Sequence, residues 1–400
     1  MKPDRINDVT LYQVAPRWMF LKIRTEAGIE GWGEPMIEGQ HQSVAALIEF
    51  WSSLDGVVIG QDSKRINHLL KKLYSQTFYH GGPVHMAAIA GIDMALWDIA
   101  GKRAAKPCYE LWGGNACDLD GTLAYTWFGG NEATPAKAAE QIASEYAGGK
   151  RFFKMNACPP MGPVDVDGSI DQAVERLRLC REAAPDALIA LDWHGRLKPP
   201  EARRAIEQTD RFNVWFHEEP VLPKNYHCLA ELHSRTSSKI ALGERLTDLY
   251  QFRQALETGG VDILQPDLSH IGPTMGRKVA ALAEAYDVGL TFHAPLGPVN
   301  RTCSVHLGVT TDRYFFQECS DDMHYNSQGE ADEIRNAAYY LTETSAQQYR
   351  IRNGKVAISA DPGLGLHMDE QKIIAAAAEG HTWHDFINAA NLANGLPTEW

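Results

Sequence analysis

Apolar and polar residues follow two patterns in the first third of the chain. Residues 9–14 alternate between the two kinds, and residues 18–25 lead through Glu26-Ala27-Gly28 into residues 29–33, which is a hairpin signal. Apolar residues then recur at three- and four-residue spacing in 43–51 and 66–74, while 84–100 is apolar on nearly all sides. These patterns predict helices, the last of them buried. Antiparallel strands followed by helices predict an α+β domain, which we assign to residues 1–118.

From Gly121 onward the pattern changes to strands that alternate with helices. Thr134 followed by Pro135 is a common helix start, and Gly259-Gly260 is a common helix end. The predicted strands are 122–126, 151–155, 187–191, 213–217, 239–243, 261–265, 288–292 and 313–317. The predicted helices between them include 135–146, 171–184, 201–208, 247–257 and 276–286. Eight strands in this pattern predict a parallel α/β barrel over residues 119–365. One more helix (370–379) lies in a C-terminal segment, 366–400, which we expect to pack on the first domain.

Three of the predicted strands end at a carboxylate. Asp192, Glu218 and Glu244 are each separated by 26 residues, the length of one strand, one helix and two short loops. Because the carboxyl ends of parallel barrel strands lie side by side, the three side chains should converge. Carboxylate oxygens in an incomplete shell suit a hard cation that also binds water and substrate. Each acid alone is more often a helix cap or a salt bridge, but three in step predict a magnesium site.

The remaining strand ends carry further polar side chains. Asp267 and His293 end neighbouring strands, and an aspartate on one imidazole nitrogen makes the other nitrogen a general base. His194, two residues beyond Asp192, should lie on the other side of the barrel mouth. There it can protonate a leaving hydroxyl or, as the alternative, only hydrogen-bond the substrate.

Removal of a proton beside a carboxylate gives an enediolate, which is high in energy. Two more strand-end residues could stabilise it. Lys154 can supply positive charge, and Glu318 can donate a hydrogen bond if it is protonated. The alternatives are that Lys154 only pairs with Asp192 and that Glu318 forms a salt bridge at the barrel rim.

Composition limits the classes of function. The net charge of −13, with no basic stripe to offset it, argues against nucleic-acid and anionic membrane partners. The seven cysteines are scattered without metal-ligand spacing, and the N-terminus has no apolar signal core. We therefore expect reduced thiols in a cytoplasmic protein without a membrane span.

Several short segments carry a family resemblance. They are Leu-Asp-Trp-His-Gly-Arg (191–196), Glu-Glu-Pro (218–220), Gly-Glu-Arg (243–245), Gln-Pro-Asp-Leu-Ser-His (265–270) and His-Ala-Pro-Leu-Gly-Pro (293–298). Together they resemble the mandelate racemase branch of the enolase superfamily. Gly-Trp-Gly-Glu-Pro (31–35), Phe78-Tyr79 and the closing Glu399-Trp400 extend the likeness to nearly the whole chain. The implied fold is a modified TIM barrel, (β/α)7β, with an N-terminal capping domain completed by the C-terminal tail.

The resemblance also implies roles for individual residues. Asp192, Glu218 and Glu244 would bind one Mg²⁺ per subunit, with Mn²⁺ as an alternative. His293, assisted by Asp267, would take the proton beside the substrate carboxylate, His194 would protonate the departing 3-hydroxyl, and Glu318 would stabilise the intermediate, with Lys154 also at the catalytic site. The residues expected to bind substrate are Asn156, Arg196, Arg17, Trp18, Gln40 and His80.

The expected reaction is loss of water from an aldonate, giving a 2-keto-3-deoxy acid in a homo-oligomeric enzyme. D-galactonate is the substrate that the resemblance implies. Gluconate, arabinonate or a diacid are the alternatives, because Gln40 and His80 stand where the dehydratase pattern has arginine. Racemisation needs a second base opposite His293, and Asn156 occupies that position. A metal-dependent hydrolase would have His-x-His on the first barrel strand, where Tyr125-Thr-Trp127 stands. A barrel without catalytic activity is the alternative from another class.

Overall fold

The computed structural model describes residues 2–116, 121–129, 134–159, 161, 168–320, 326 and 335–380. Its N-terminal part begins with an antiparallel sheet in the order β1-β2-β3. The strands are β1 (Ile6–Val14), β2 (Trp18–Thr25) and β3 (Glu30–Gly33). The helices that follow are α1 (His41–Ser53), α2 (Ile66–Ser75), α3 (Pro83–Ala104) and α4 (Cys108–Leu111). The predicted α+β order is confirmed.

Helix α3 forms the centre of this capping domain. It is long and apolar enough to cross a membrane, but 83% of its most apolar window is buried inside the protein, so it is a core helix. Sheet and helix touch through glycine, since a Cβ atom on Gly33 would lie 1.9 Å from the carbonyl oxygen of Gly91. Only residues without side chains permit this approach of β3 to α3.

The second part is a curled parallel sheet in the order β10-β9-β8-β7-β6-β5-β4-β11. A parallel bridge between Leu290 and Tyr314 closes the circle between its first and last strands. The eight strands are β4 (Gly121–Phe128), β5 (Phe152–Asn156), β6 (Leu188–Asp192), β7 (Val214–Glu218), β8 (Lys239–Leu242), β9 (Ile263–Leu264), β10 (Gly289–Leu290) and β11 (Phe316–Cys319). The predicted barrel is confirmed, and each predicted strand overlaps an observed one.

Helices pack outside the barrel. They are α5 (Pro135–Ala147), α6 (Ser169–Ala183), α7 (Pro199–Thr209), α8 (Leu229–His233), α9 (Leu249–Glu257), α10 (Leu268–Ala285) and α11 (Pro298–Gly308). Thr134 caps α5 by accepting from the Lys137 amide, as predicted. Helix α10 begins eight residues earlier than predicted and is kinked at Gly272, where φ is +70°. Helix α11 was not predicted, because most of its side chains are buried and its sequence shows no apolar stripe.

The chain returns to the capping domain after the barrel. It forms α12 (Glu343–Tyr349), β12 (Lys355–Ala357), which pairs antiparallel with β4, and α13 (Glu370–Ala378). Glu370 accepts hydrogen bonds from Tyr12 and Lys22 of the first sheet. The described part of the predicted C-terminal segment therefore contacts the capping domain, and residues 381–400 lie outside the described residues. Six of the seven cysteines are described, and all six are buried.

Candidate active site

The carboxylates at the ends of β6 and β7 are neighbours in the sheet. Asn156, Asp192 and Glu218 occupy one register position on three successive strands. Glu244 follows β8 after Gly243, and one oxygen from each of Asp192, Glu218 and Glu244 lies within 4.8 Å of the others. The three side chains are buried, and Asp192 and Glu218 are 0% exposed. The structure thus brings together the three residues predicted to bind a metal.

The charges at this cluster fit a divalent cation. Burial is the largest influence on Asp192 and Glu218 and raises the pKa of both, and neighbouring carboxylates add to the effect. Lys154 supplies one positive charge, with Nζ 2.7 Å from a Glu218 oxygen and 3.5 Å from Asp192 Oδ2. Asp192 Oδ2 has no hydrogen-bond donor among the described residues. A buried carboxylate oxygen without a donor needs a cation to compensate for lost hydration, so these residues fit Mg²⁺.

On the other side of the mouth, Asp267 and His293 form a hydrogen-bonded pair. A parallel bridge joins the two residues, and His293 Nδ1 lies 2.8 Å from Asp267 Oδ2. The other oxygen of Asp267 accepts from the Ser269 amide at 2.6 Å and from Asn300 Nδ2 at 3.0 Å. Because a carboxylate only accepts, His293 Nδ1 carries the proton, and Nε2 faces the cluster 2.9 Å from Glu244 Oε2. Asp267 orients the imidazole as the acid of a base–acid pair does, and Nε2 would be free to accept a proton once a cation takes up the charge of Glu244.

The carboxylates around His293 control its charge. Burial, the largest single influence, favours the neutral ring, but Glu244, Glu318 and Asp267 together raise the pKa of His293 well above its usual range. A cation on Glu244 would compete for the charge of that carboxylate. The imidazole would then lose the first of the interactions that favour its protonated form.

His194 lies beside Asp192, with its backbone in the left-handed region at φ +50°. Its amide donates to Asp192 Oδ1 at 2.9 Å, and its Nε2 lies 3.5 Å from Asp192 Oδ2. The ring stacks on Trp127, with centroids 5.8 Å apart. Burial, followed by the charge of Arg196, lowers the pKa of His194 well below its usual range. The two histidines therefore lie near different carboxylates of the cluster, His194 near Asp192 and His293 near Glu244.

Glu318 lies between the two sides. Its Oε1 lies 2.7 Å from Lys154 Nζ and accepts from Trp127 Nε1, and its Oε2 accepts from the Ala294 amide at 3.0 Å. Lys154 therefore bridges Glu218 and Glu318, a wider contact than the predicted pairing with Asp192. Its ammonium is fully buried, and although burial opposes the charge, the surrounding carboxylates raise the pKa of Lys154 well above its usual range.

The residues predicted to bind substrate lie in different surroundings. Asn156 is beside Asp192 in the sheet, and Arg196 is buried and donates to the Cys158 carbonyl. Arg17 pairs with Glu38 at 2.5 Å and also donates to the Pro295 carbonyl, two residues beyond His293. All three remain predictions as substrate ligands.

The other three predicted substrate ligands belong to the capping domain. Trp18 is fully buried and packs edge-on against Tyr340 at 5.8 Å. Gln40 and His80 are exposed, and His80 stacks on Tyr74. Their roles also remain predictions.

Sequence reasoning missed several partners of the site. Gln265 Nε2 donates to Glu218 at 2.8 Å, and a glutamine that ends an otherwise apolar strand was a signal for this contact. Trp127 stacks on His194 and donates to Glu318, which the motifs did not indicate. Asn300 and Glu34 hold the Asp267–His293 side. Neither was predicted, since Glu34 belongs to the capping domain and Asn300 to an unpredicted helix.

Comparisons with known proteins agree with this geometry. Residues 9–113 match the family profile described as the mandelate racemase / muconate lactonizing enzyme N-terminal domain, and residues 137–372 match the one described as enolase C-terminal domain-like. The chain is 40% identical to a D-galactonate dehydratase of Ralstonia pickettii strain 12J, covering 99% of this chain and 100% of the relative. A D-galactonate dehydratase of Klebsiella pneumoniae strain 342 is 39% identical over the same shares.

Solved structures have the same fold. A mandelate racemase/muconate lactonizing enzyme from a Sulfitobacter species superposes with a TM-score of 0.83 at 25% identity, covering 95% of this chain and 96% of the other. One from Jannaschia sp. CCS1 gives 0.81 at 27% identity, covering 93% and 97%. Family profiles over most of the chain and relatives that match its whole length lead to one conclusion. The chain belongs to the mandelate racemase / muconate lactonizing enzyme family of the enolase superfamily.

Proposed function

We propose that this protein is a magnesium-dependent dehydratase that converts D-galactonate into 2-dehydro-3-deoxy-D-galactonate. One observation carries the proposal. The three-carboxylate cluster lies between two imidazoles, with His293 Nε2 2.9 Å from Glu244 and His194 Nε2 3.5 Å from Asp192. A base and an acid on separate sides of a metal-bound substrate suit the elimination of water from a hydroxy acid. Full-length relatives that carry the name D-galactonate dehydratase support the choice of acid.

The reaction begins at the carbon beside the substrate carboxylate. Nε2 of His293 takes the proton from C2, and Asp267 holds Nδ1 so that the ring faces the substrate in the right tautomer. Mg²⁺ held by Asp192, Glu218 and Glu244 would stabilise the negative charge that collects on the carboxylate oxygens. Lys154, fully buried beside two of these acids, adds positive charge to the same region.

The second step removes the hydroxyl group. The C3–O bond breaks as the C2–C3 double bond forms, and the proton on His194 leaves with the oxygen as water. The enol product then tautomerises to the 2-keto acid. Burial and the charge of Arg196 lower the pKa of His194 well below its usual range, and the negative charge of a bound substrate would favour its protonated form. The alternative role, a hydrogen bond to the substrate hydroxyl, needs no protonation and is tested below.

We further propose one Mg²⁺ per subunit, with Mn²⁺ able to replace it, in a cytoplasmic homo-oligomer. The single carboxylate triad found among the described residues supports one ion, since each acid offers one oxygen to the same point. Cys108, Cys180, Cys228 and Cys303 are free and buried, which supports a reducing compartment. Sedimentation of the purified chain and metal titration test assembly and stoichiometry.

A panel of sugar acids tests the substrate. The protein is incubated with Mg²⁺ and D-galactonate, gluconate, arabinonate or galactarate, and the 2-keto-3-deoxy product is measured. We expect turnover of D-galactonate well above that of the other acids. Turnover of a different acid would replace the substrate and keep the roles of the barrel residues. No turnover of any acid, with Mg²⁺ bound, would contradict the dehydratase proposal unless α-proton exchange with deuterated water is still seen.

Another aldonate is the alternative substrate. Gln40 and His80 are exposed residues of the capping domain, and they stand where the dehydratase pattern has arginine. The variants Q40R and H80R restore that pattern one position at a time. If the present residues select another aldonate, the variants should raise kcat/KM for D-galactonate and lower it for the other acid. Equal effects on all acids would show that neither position selects the substrate.

A further inference from the structure

Glu34 of the capping domain reaches into the barrel. It directly follows β3, is 0% exposed, and accepts three backbone hydrogen bonds at the start of α11. Oε1 accepts from the Gly297 amide at 2.6 Å, and Oε2 accepts from the amides of Val299 and Asn300 at 3.0 Å each. The first amides of a helix have no acceptor within the helix. A carboxylate from another domain therefore caps this barrel helix.

The capped turn leads directly to the base. Asn300 Nδ2 donates to Asp267 Oδ1 at 3.0 Å, and the other oxygen of Asp267 binds His293 Nδ1 at 2.8 Å. The backbone that follows His293 is therefore hydrogen-bonded to Glu34 at Gly297. The amide of Asn300, whose side chain supports Asp267, is hydrogen-bonded to the same carboxylate. Both connections from Glu34 to the base pass through hydrogen bonds between buried groups.

Glu34 is closely packed on both sides. A Cβ atom on Gly297 would lie 2.5 Å from Glu34 Oε1, so the loop touches the carboxylate without any intervening side chain. On the opposite side, Gly33 lies against Gly91 with the close approach described above. Glu34 is therefore fixed between α3 and the loop that follows His293.

We propose that Glu34 is a positioning residue for the general base, acting through Gly297 and Asn300 on the orientation of His293 and Asp267. This inference rests on the proposed function, in which His293 removes the C2 proton. It gives the capping domain a part in the proton transfer itself. A positional error of about 1 Å in a catalytic group can cost about 100-fold in rate, so the effect is measurable.

The variant E34Q tests the proposal in the magnesium-loaded enzyme. The amide has the shape of the carboxylate but places an NH₂ group against backbone donors, so one side of the cap is lost. We expect C2-proton exchange with deuterated water to fall about 10- to 100-fold, with KM and the Mg²⁺ dissociation constant within about twofold of wild type. An unchanged exchange rate, or equal losses in exchange and Mg²⁺ affinity, would overturn the proposal.

Asp98 offers a matched control. It is a buried carboxylate that also joins the two parts of the chain, accepting from the amides of Trp32 and Leu364 at 3.0 and 2.9 Å and from Lys102. Among the described residues, no hydrogen bond or ion pair joins Trp32, Leu364 or Lys102 to Asp267 or His293. D98N should therefore lower thermal stability while C2-proton exchange stays within about threefold of wild type, below its Tm. If C2-proton exchange falls as much in D98N as in E34Q, a general loss of rigidity explains both effects.

A double-mutant cycle locates the path. N300A removes only the side chain that supports Asp267, and we expect it to slow exchange in the same direction as E34Q. If Glu34 acts through Asn300, E34Q/N300A should lose no more than the worse single variant. If the rate losses of the two single variants multiply in the double variant, Glu34 does not act through Asn300, and this path is rejected.

One readout needs no substrate and so separates failure of this inference from failure of the proposed function. The buried Nδ1 proton of His293 should give a downfield proton NMR signal, assigned by its loss in H293N. In E34Q and N300A this signal should shift or broaden, while D98N leaves it in place. If the wild-type chain dehydrates no aldonate, the proposed function fails while this comparison still decides whether Glu34 positions His293. An unchanged signal in E34Q would reject the positioning role.

Discussion

The two sides of the barrel mouth fix their side chains in different ways. On the metal side, Asp192 and Glu218 end regular five-residue strands and are paired in register. On the base side, β9 and β10 are only two residues long, and Asp267 and His293 meet in an isolated bridge beyond them. The sheet register places Asp192 and Glu218 side by side, and Lys154 and Gln265 donate hydrogen bonds to Glu218. The base depends on hydrogen bonds from α11 and, through Glu34, from the other domain.

The base side of this barrel therefore depends on the capping domain more than the carboxylate cluster does. The three carboxylates of the proposed metal site follow neighbouring strands, so their convergence follows from the order of the strands in the sheet. A base must hold one nitrogen at one place relative to a C–H bond. The contacts of the capping domain with the turn after β10 meet that second requirement. Substitutions on the two sides should therefore impair different properties, Mg²⁺ binding on one side and proton transfer on the other.

The largest effect is expected from D192N on the metal side. The substitution removes one of three buried anionic oxygens and should abolish Mg²⁺ binding and turnover together. Since a catalytic metal contributes several kcal/mol, the rate should fall by at least about 10³-fold. Calorimetric metal titration with a turnover assay checks both. Retained turnover without measurable Mg²⁺ binding would contradict the assignment of the site.

H293N on the base side should separate binding from chemistry. The side chain keeps a polar group but loses the base, so we expect proton exchange and dehydration to fall together by about 10²- to 10⁴-fold. Mg²⁺ affinity should stay near the wild-type value or rise, because Glu244 no longer pairs with His293. Exchange at a near-normal rate would mean that another group removes the proton.

H194N should split the two steps of the reaction. As the acid that protonates the leaving hydroxyl, His194 is needed after proton removal. We therefore expect dehydration to fall about 100-fold while C2-proton exchange stays within about threefold of wild type. Parallel NMR measurements of exchange and product check this. If both rates fall equally, His194 binds substrate rather than acting as the acid.

The smallest effect concerns the pH dependence of stability at a second contact between the domains. Asp93 of α3 accepts from the Thr274 amide at 2.7 Å, and burial raises its pKa to about 7. The folded chain therefore binds a proton that the unfolded chain releases near pH 3.8. Its contribution to stability is complete below the unfolded value and is lost as the pH rises to about 7, by at most about 1.4 kcal/mol per pH unit.

The neutral variant D93N removes this dependence. Its Tm relative to wild type should rise by a few degrees between pH 5 and pH 8, measured by calorimetry at both values. The same difference in Tm at the two pH values would exclude Asp93 as the titrating group.

The convergence of Asp192, Glu218 and Glu244 was predicted from the sequence and is seen in the structure. The three carboxylates repeat at the pitch of a βα unit, and a carboxylate that ends an apolar strand is visible without knowledge of the fold. The family resemblance, the barrel and the order of the strands are also confirmed. Asp267 and His293 were predicted as a pair for the same reason, since they too end neighbouring strands.

What the sequence did not predict is what holds that pair. Glu34 and Gly297 are 263 positions apart, and no periodicity connects them. Helix α11 has no apolar stripe because it is buried among other elements, so Asn300 had no predicted helix to belong to. Local patterns report on elements, whereas contacts between domains depend on the packing of the whole chain.

The close contact between Gly33 and Gly91 also limits how this protein can evolve. A methyl group at either position would push β3 away from α3 and carry Glu34 with it. New substrate preferences cannot arise by shifting this strand without disturbing the proton transfer. Substitutions at exposed positions such as Gln40 and His80 leave that contact in place. The capping domain thus combines a closely packed anchor at Gly33 and Gly91 with exposed positions whose side chains are not part of that contact.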